Sequence, residues 1–286
     1  MDFPIKPVCK TCGTQYPADQ KLPELCTICN DDRQYITELG QVWIELESLS
    51  AQYCTKTTRV RENLYTLKII PDFAITQRAF LVLSPSGNIL WDCIPLLDEA
   101  TTAFIKSKGG LKAIAFSHPH YYSNMNVWAE TFNCPIYIHE NDKNWVMYKS
   151  DYLKFWKGYS MSVADSEIIN TGGHFPGSCI LKIPGFSDKG VILSGDTLNI
   201  SKSKRYVSVM YSFPNHILLS KSEFLSFFDK TKNLEFDTMY GAFEGQNLVG
   251  NAKEILHLQC SVISKVTAMD EQRPRNVFSN AFLSCG

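Results

Sequence analysis

Three short segments, in a fixed order along the chain, restrict what it can fold into. They are Ser-His-Pro-His-Tyr-Tyr-Ser at 117–123, Gly-Gly-His-Phe-Pro-Gly at 172–177 and Ser-Gly-Asp-Thr at 194–197. Each begins or ends an apolar run of β type, and together they offer His118, His120, His174 and Asp196. Imidazole and carboxylate are the ligands that a borderline metal such as zinc prefers. A His-x-His pair on a loop just after a strand can bring both rings to one ion. The glycines before His174 let the backbone turn tightly enough for a ring to reach inward. Exposed loop imidazoles would explain the first segment alone, but the three in order point to a metal site.

These segments resemble the metallo-β-lactamase superfamily over roughly residues 40 to 260. The usual signature there is His-x-His-x-Asp-His, then Gly-His-x-Pro-Gly, then an Asp after a strand, then a final His. The resemblance implies an α/β fold, an αββα sandwich, with the first metal on His118, His120 and His174 and with Asp196 bridging to a second. The ligands of that second metal are altered together. The family Asp falls on Tyr122, the next His on Ser123, and the final His near Phe243. A phenol with a pKa near ~10 poorly replaces a carboxylate at neutral pH. The resemblance so modified implies a one-metal site. Tyr122 then has two readings: its ring fills the space of the missing metal, or its hydroxyl donates to a substrate oxygen in catalysis beside Asp196. Tyr121 is expected to point elsewhere.

The N-terminal stretch reads as a separate module, residues 1–36, ahead of a domain over 37–286. It carries Cys9-Lys-Thr-Cys12-Gly and Cys26-Thr-Ile-Cys29-Asn. Two Cys-x-x-Cys knuckles about a dozen residues apart are the spacing of a tetrahedral structural zinc site. So short a segment lacks a core to fold without its metal. The module resembles a zinc ribbon. The remaining cysteines are scattered in apolar runs, as buried thiols in a reducing compartment are.

Charge and hydropathy narrow the partners. The net charge is −1 with no basic stripe, so no nucleic acid is expected. Residues 1–30 have no continuous apolar core, no run approaches the ~18 residues of a membrane span, and the expected location is the cytoplasm.

From about residue 40 strands alternate with helices. Strands are expected over 41–46, 64–70, 79–83, 89–94, 113–116, 136–139, 180–183 and 190–193. Helices are expected over 99–108, 126–132, 141–148, 222–232 and 253–269. Strands that deliver ligand-bearing loops, with helices outside, suit a layered α/β sandwich. His139 suits a capping role, His216 matches no ligand of the family, and His257 sits at helical spacing. Arg78 and Arg205 read as solvated charges.

Three functions fit these features. The first is a zinc-dependent hydrolase-like enzyme whose three-histidine metal activates water toward an ester, thioester or amide carbonyl of a small-molecule substrate. The second is a mononuclear iron oxygenase of the same fold, with two histidines and Asp196 as a facial triad. The third is a non-enzymatic relic in which all four groups close around one ion.

Overall fold

The computed structural model describes residues 6–18 and 20–258. Its N-terminal part is built around four cysteines and closed by an antiparallel pair, β1 (Pro7–Cys9) and β2 (Trp43–Glu45). The strand expected over 41–46 is therefore shorter and belongs to this module, not to the sandwich. Gln41 completes it from beyond the expected boundary at 36/37. Its Oε1 accepts from the Cys26 amide at 2.9 Å and its Nε2 donates to Cys9 Sγ at 3.2 Å. A short helix, α1 (Leu46–Leu49), leads on into the larger domain.

Two sheets face each other there. The first runs β3 (Cys54–Arg61), β4 (Leu64–Ile70), β5 (Ala79–Val82), β6 (Ile89–Trp91), β7 (Ala113–Ala115), β8 (Ile136–His139) and β9 (Leu153–Trp156), in that spatial order. The pairings from β3 to β6 are antiparallel and those from β6 to β9 parallel. The second runs β10 (Ser160–Val163), β11 (Ser166–Asn170), β12 (Cys179–Ile183) and β13 (Val191–Gly195). Four short strands then form two hairpins: β14 (Asn199–Ile200) with β15 (Val207–Ser208), and β16 (Met210–Ser212) with β17 (Ile217–Leu218). The chain returns to the second sheet as β18 (Thr238–Gly241), parallel to β13, and β19 (Asn247–Leu248).

Side-chain alternation sorts three apolar layers. Ala113 and Ala115 of β7, with Phe80 and Val82 of β5, meet Val191 and Leu193 of β13 between the sheets. Ile114, Ala79 and Leu81 point the other way, onto Ile105 of α2 (Glu99–Ser107) and Trp128 of α3 (Met125–Phe132). Ile192 and Met239 cover the opposite face with Phe224 and Phe227 of α4 (Lys221–Thr231). The helices are bounded by local chemistry. Asp98 accepts from the Thr101 amide at the start of α2, Asn133 ends α3 with a left-handed φ of 48°, and Ser220 with Glu223 forms a capping box on α4. The result is the expected αββα sandwich.

Some expected elements differ. The strand over 89–94 stops at Trp91 because Asp92 turns with φ 62° and points its carboxylate at the loop after β7. The helix over 141–148 is a 3-10 segment, Glu140–Trp145, started by His139, whose Nδ1 accepts from the Asn141 amide. Residues 252–258 are helical, and the remainder of the helix expected over 253–269 lies outside the described residues. No helix among the described residues is long and apolar enough to cross a membrane.

Candidate metal centre

Among the described residues two clusters bring ligand atoms together: Cys9, Cys12, Cys26 and Cys29, and His118, His120, His174 and Asp196, each with its atoms within 4.8 Å of one another. In the first, Cys9 Sγ lies 3.7 Å from Cys29 Sγ, and Cys12 Sγ lies 3.7 Å from Cys26 Sγ. A tetrahedral four-sulfur site with bonds of about 2.3 Å has edges of about 3.8 Å, so the four sulfurs fit one ion. Gly13 follows the first knuckle with φ 80°, and its amide turns back to the Cys9 carbonyl at 2.8 Å.

The second cluster sits at the ends of the strands. β7 ends two residues before Ser117 gives way to His118, whose extended backbone leads into the 3-10 turn Pro119–Tyr121, with Pro119 presetting its first φ. His174 lies on the loop between β11 and β12, and Asp196 follows β13 directly. All four are buried. Hydrogen bonds orient two of the rings. The Ser117 hydroxyl lies 2.9 Å from both Asp92 oxygens and 2.9 Å from His118 Nδ1. With its proton directed at Asp92, it accepts from His118 Nδ1, which leaves the Nε2 lone pair free. His174 Nδ1 donates to the Tyr211 carbonyl at 2.8 Å, so its Nε2 is free as well. His120 Nδ1 stands 3.3 Å from that Nε2. Nitrogens sharing one tetrahedral ion at bond lengths of about 2.0–2.1 Å stand about 3.3 Å apart. His118 Nε2 and Asp196 Oδ1 are buried without a hydrogen-bond partner. Such orphaned atoms are costly unless a ligand satisfies them. The donor set fits a metal.

Burial drives the electrostatics. It holds His118 and His120 well below the usual imidazole range and His174 down to about 4, so the rings are neutral at pH 7. It raises Asp196 to about 6, opposed by the Tyr121 hydroxyl, which approaches that carboxyl without closing a full hydrogen bond. Asp196 Oδ2 is 3.8 Å from His118 Nε2.

Glycines admit the close approaches that this geometry needs. A Cβ on Gly195, which has φ 54°, would collide with the Ser117 side chain. One on Gly177 would collide with the Asp142 carboxyl, whose Oδ1 accepts the Gly177 amide at 2.7 Å. The Cys179 amide donates to the Ser117 carbonyl at 2.7 Å and ties the two histidine loops together.

The structure corrects three residues and adds two. Tyr122, expected beside the metal, is buried in the layer between the first sheet and its helices, with its ring 4.9 Å from Phe116. The 3-10 turn instead brings Tyr121 inward, its ring 4.3 Å from His118. Arg78 is no solvated charge. It is 5% exposed and donates to the Gly241 and Gln246 carbonyls, which pins the loop carrying Phe243. Ser123 Oγ receives from the Gln77 amide at 3.3 Å, and Phe243 lines the cavity beside His120, His174 and Asp196. Arg33, unnoticed in sequence, donates from Nε to the His174 carbonyl at 2.7 Å. Its guanidinium lies 4.4 Å from the Phe175 ring and 4.1 Å from that of Tyr211, with Asp31 as counterion. Gln34 joins Tyr35 and Thr11 as module residues lining the same cavity. No local word marks either Arg33 or Gln34, since both work across a long sequence separation.

This architecture and site define the metallo-β-lactamase fold. Structures similar to it include the DIM-1 metallo-beta-lactamase, at a TM-score of 0.55 and 12% identity over 75% of this chain and 100% of that one. Another is a metallo-beta-lactamase from Pontibacter korlensis, at 0.54 and 12% over 74% and 99%. No family model matches the chain. It is 39% identical over 269 residues to the uncharacterized protein YmaE of Bacillus subtilis (strain 168), spanning 93% of this chain and 97% of that protein, and therefore belongs to the same family.

Proposed function

We propose that this protein is a metallo-hydrolase with one zinc ion at His118, His120 and His174 and a structural zinc at Cys9, Cys12, Cys26 and Cys29. The observation that carries this is the trio of neutral imidazoles with two lone pairs oriented from behind, two of which, His120 and His174, line a cavity of about 400 Å³ with Asp196. A divalent ion held there supplies Lewis acidity and makes water nucleophilic near neutral pH. Ser117 and the Tyr211 carbonyl keep the ligand rings in register. Asp196 stands 3.8 Å from His118 Nε2, beyond the edge of about 3.3 Å of a tight tetrahedron. That distance supports a carboxylate that would stand beside a bound ion, within reach of the water that the ion would activate. Asp196 takes the proton of the attacking water. The water oxygen bonds to the carbonyl carbon, the bond to the leaving group breaks, and the proton passes to the leaving group. The substrate is a small carbonyl compound, and neither nucleic acid nor membrane takes part. Residues 1–36, completed by Gln41 and β2, act as the metal module. The cytoplasm suits a chain of ten cysteines whose described members form no disulfide.

Native mass spectrometry with elemental analysis tests the reading. Two zinc ions per chain are expected, His118→Ala should lose one of them, and hydrolysis of aryl esters or thioesters should disappear with it. Iron at the histidine site with dioxygen consumption, or two ions bound there, would replace this reading.

A further inference from the structure

We propose that the four-cysteine module forms part of the substrate site, that Gln34 is the residue that grips the substrate, and that the substrate is uncharged with an apolar body. This rests on the hydrolytic reading of the metal site. The cavity of about 400 Å³ over His120, His174 and Asp196 is of a size that encloses a small molecule. Its wall is composite. Thr11, Gln34 and Tyr35 come from the module, and Ile75, Phe213 and Phe243 from the sandwich.

Charge decides the substrate class. Among the described residues Asp196 is the one acidic side chain in that lining, and neither Lys nor Arg contributes to it. Arg33, a guanidinium of the module beside the site, is occupied by Asp31 and the His174 carbonyl and stacked between Phe175 and Tyr211. The positive charge of a bound ion is used at the reacting carbonyl, so an anionic group further along the substrate would enter without a counterion. Burying such a charge unpaired is costly. Isoleucine and the three aromatic walls favour an apolar body instead.

Gln34 has the marks of a ligand contact. Its backbone is fixed on both sides, with its amide on the Asp31 carbonyl at 2.9 Å and its carbonyl receiving Asn215 Nδ2 at 2.9 Å. The residue is only 6% exposed, and its Oε1 has no hydrogen-bond partner. A buried amide oxygen left unbonded on a rigid backbone beside a metal site is unfavourable until a donor hydrogen-bonds it. The matching partner is a donor on the substrate, such as the N–H of an amide or hydroxamate.

The test uses the full-length, metal-loaded protein and two hydroxamates, which reach the metal through the same head group. One is hexanohydroxamic acid and the other is the monohydroxamate of adipic acid, of similar length but ending in a carboxylate. Calorimetry should show the uncharged probe binding about tenfold or more tightly, equivalent to ~1.4 kcal/mol. Gln34→Ala should weaken it several-fold, as loss of one hydrogen bond does, with both metals retained. Gln34→Lys should shift the preference toward the carboxylate probe, which a purely structural role would not do. Equal affinities for the two probes, no binding of either, or a preference unmoved in both variants would overturn the inference. Clear discrimination without any ester turnover would remove the hydrolytic reading alone.

Discussion

Asp142 shows how a residue far from any motif can carry a measurable signature. Its carboxyl is buried, accepts the Gly177 amide through Oδ1 and leaves Oδ2 without a partner. Burial raises it to about 7, against the partial opposition of that amide and of Arg33. The native state therefore holds a proton that the unfolded chain has released above pH ~4. Stability falls as pH rises between about 4 and about 7, since there the unfolded state binds fewer protons. Asp142→Asn keeps the acceptor for Gly177 and has nothing to ionise. Denaturant unfolding should find it more stable than the parent at pH 8 by up to a few kcal/mol, with the advantage shrinking toward pH ~5. An advantage that does not change with pH would remove this account. Gly195→Ala makes the complementary case. Its side chain would displace Ser117 and with it the hydrogen bond that orients His118. Zinc affinity at the histidine site should fall by an order of magnitude or more, within the ~10–100-fold that loss of an outer hydrogen bond costs, and calorimetric titration reads it. The ligands themselves were legible in sequence because each sits in a short word whose glycine or proline is explained by its own backbone. Which tyrosine faces the site was not legible. One residue of rotation in a 3-10 turn decides it, and Tyr121 and Tyr122 are adjacent.

At the level of elements, strands that are continuously apolar were readable and those that are short and half polar were not. Ile192 between Val191 and Leu193 announces a strand buried on both faces, whereas Ser160–Val163 is short and half polar and takes its identity from pairing with β11. The turn after β7 also alters what conversion of Tyr122 would do. Tyr122 packs on Phe116 with Met125 and Trp128 in the same apolar layer, so Tyr122→Asp places a carboxylate in a core and not at a vacant metal position. The variant should lose several kcal/mol in unfolding experiments, as unpaired buried charges do. Combined with Ser123→His and Phe243→His, it should still bind a single ion at the histidines. A second ion there would show that the turn has another geometry.

Across the whole molecule the two metal clusters are mechanically joined. Arg33 links the four-cysteine module to the His174 carbonyl, the Gln15 amide donates to the Ser123 carbonyl at 3.1 Å, and Asn215 returns to Asp32 and Gln34. Cys9→Ser should therefore do more than lower metal content by one. Without its ion the module loses its fold, and zinc affinity at the histidine site should fall as well. Arg33→Ala should reproduce part of that fall while both ions remain measurable. Titration of the histidine site in each variant checks this, and unchanged affinity in both would mean that the modules act independently.

The position of the clusters along the chain also orders the protein's birth. The four sulfur ligands and β2 have all left the ribosome well before the last cavity wall, Phe243, which follows nearly two hundred residues later. Domains generally fold as units during synthesis, N-terminal first. A zinc ion bound by the module would thus be taken up while the histidine loops are still unmade, and Arg33 would already be in place when His174 arrives.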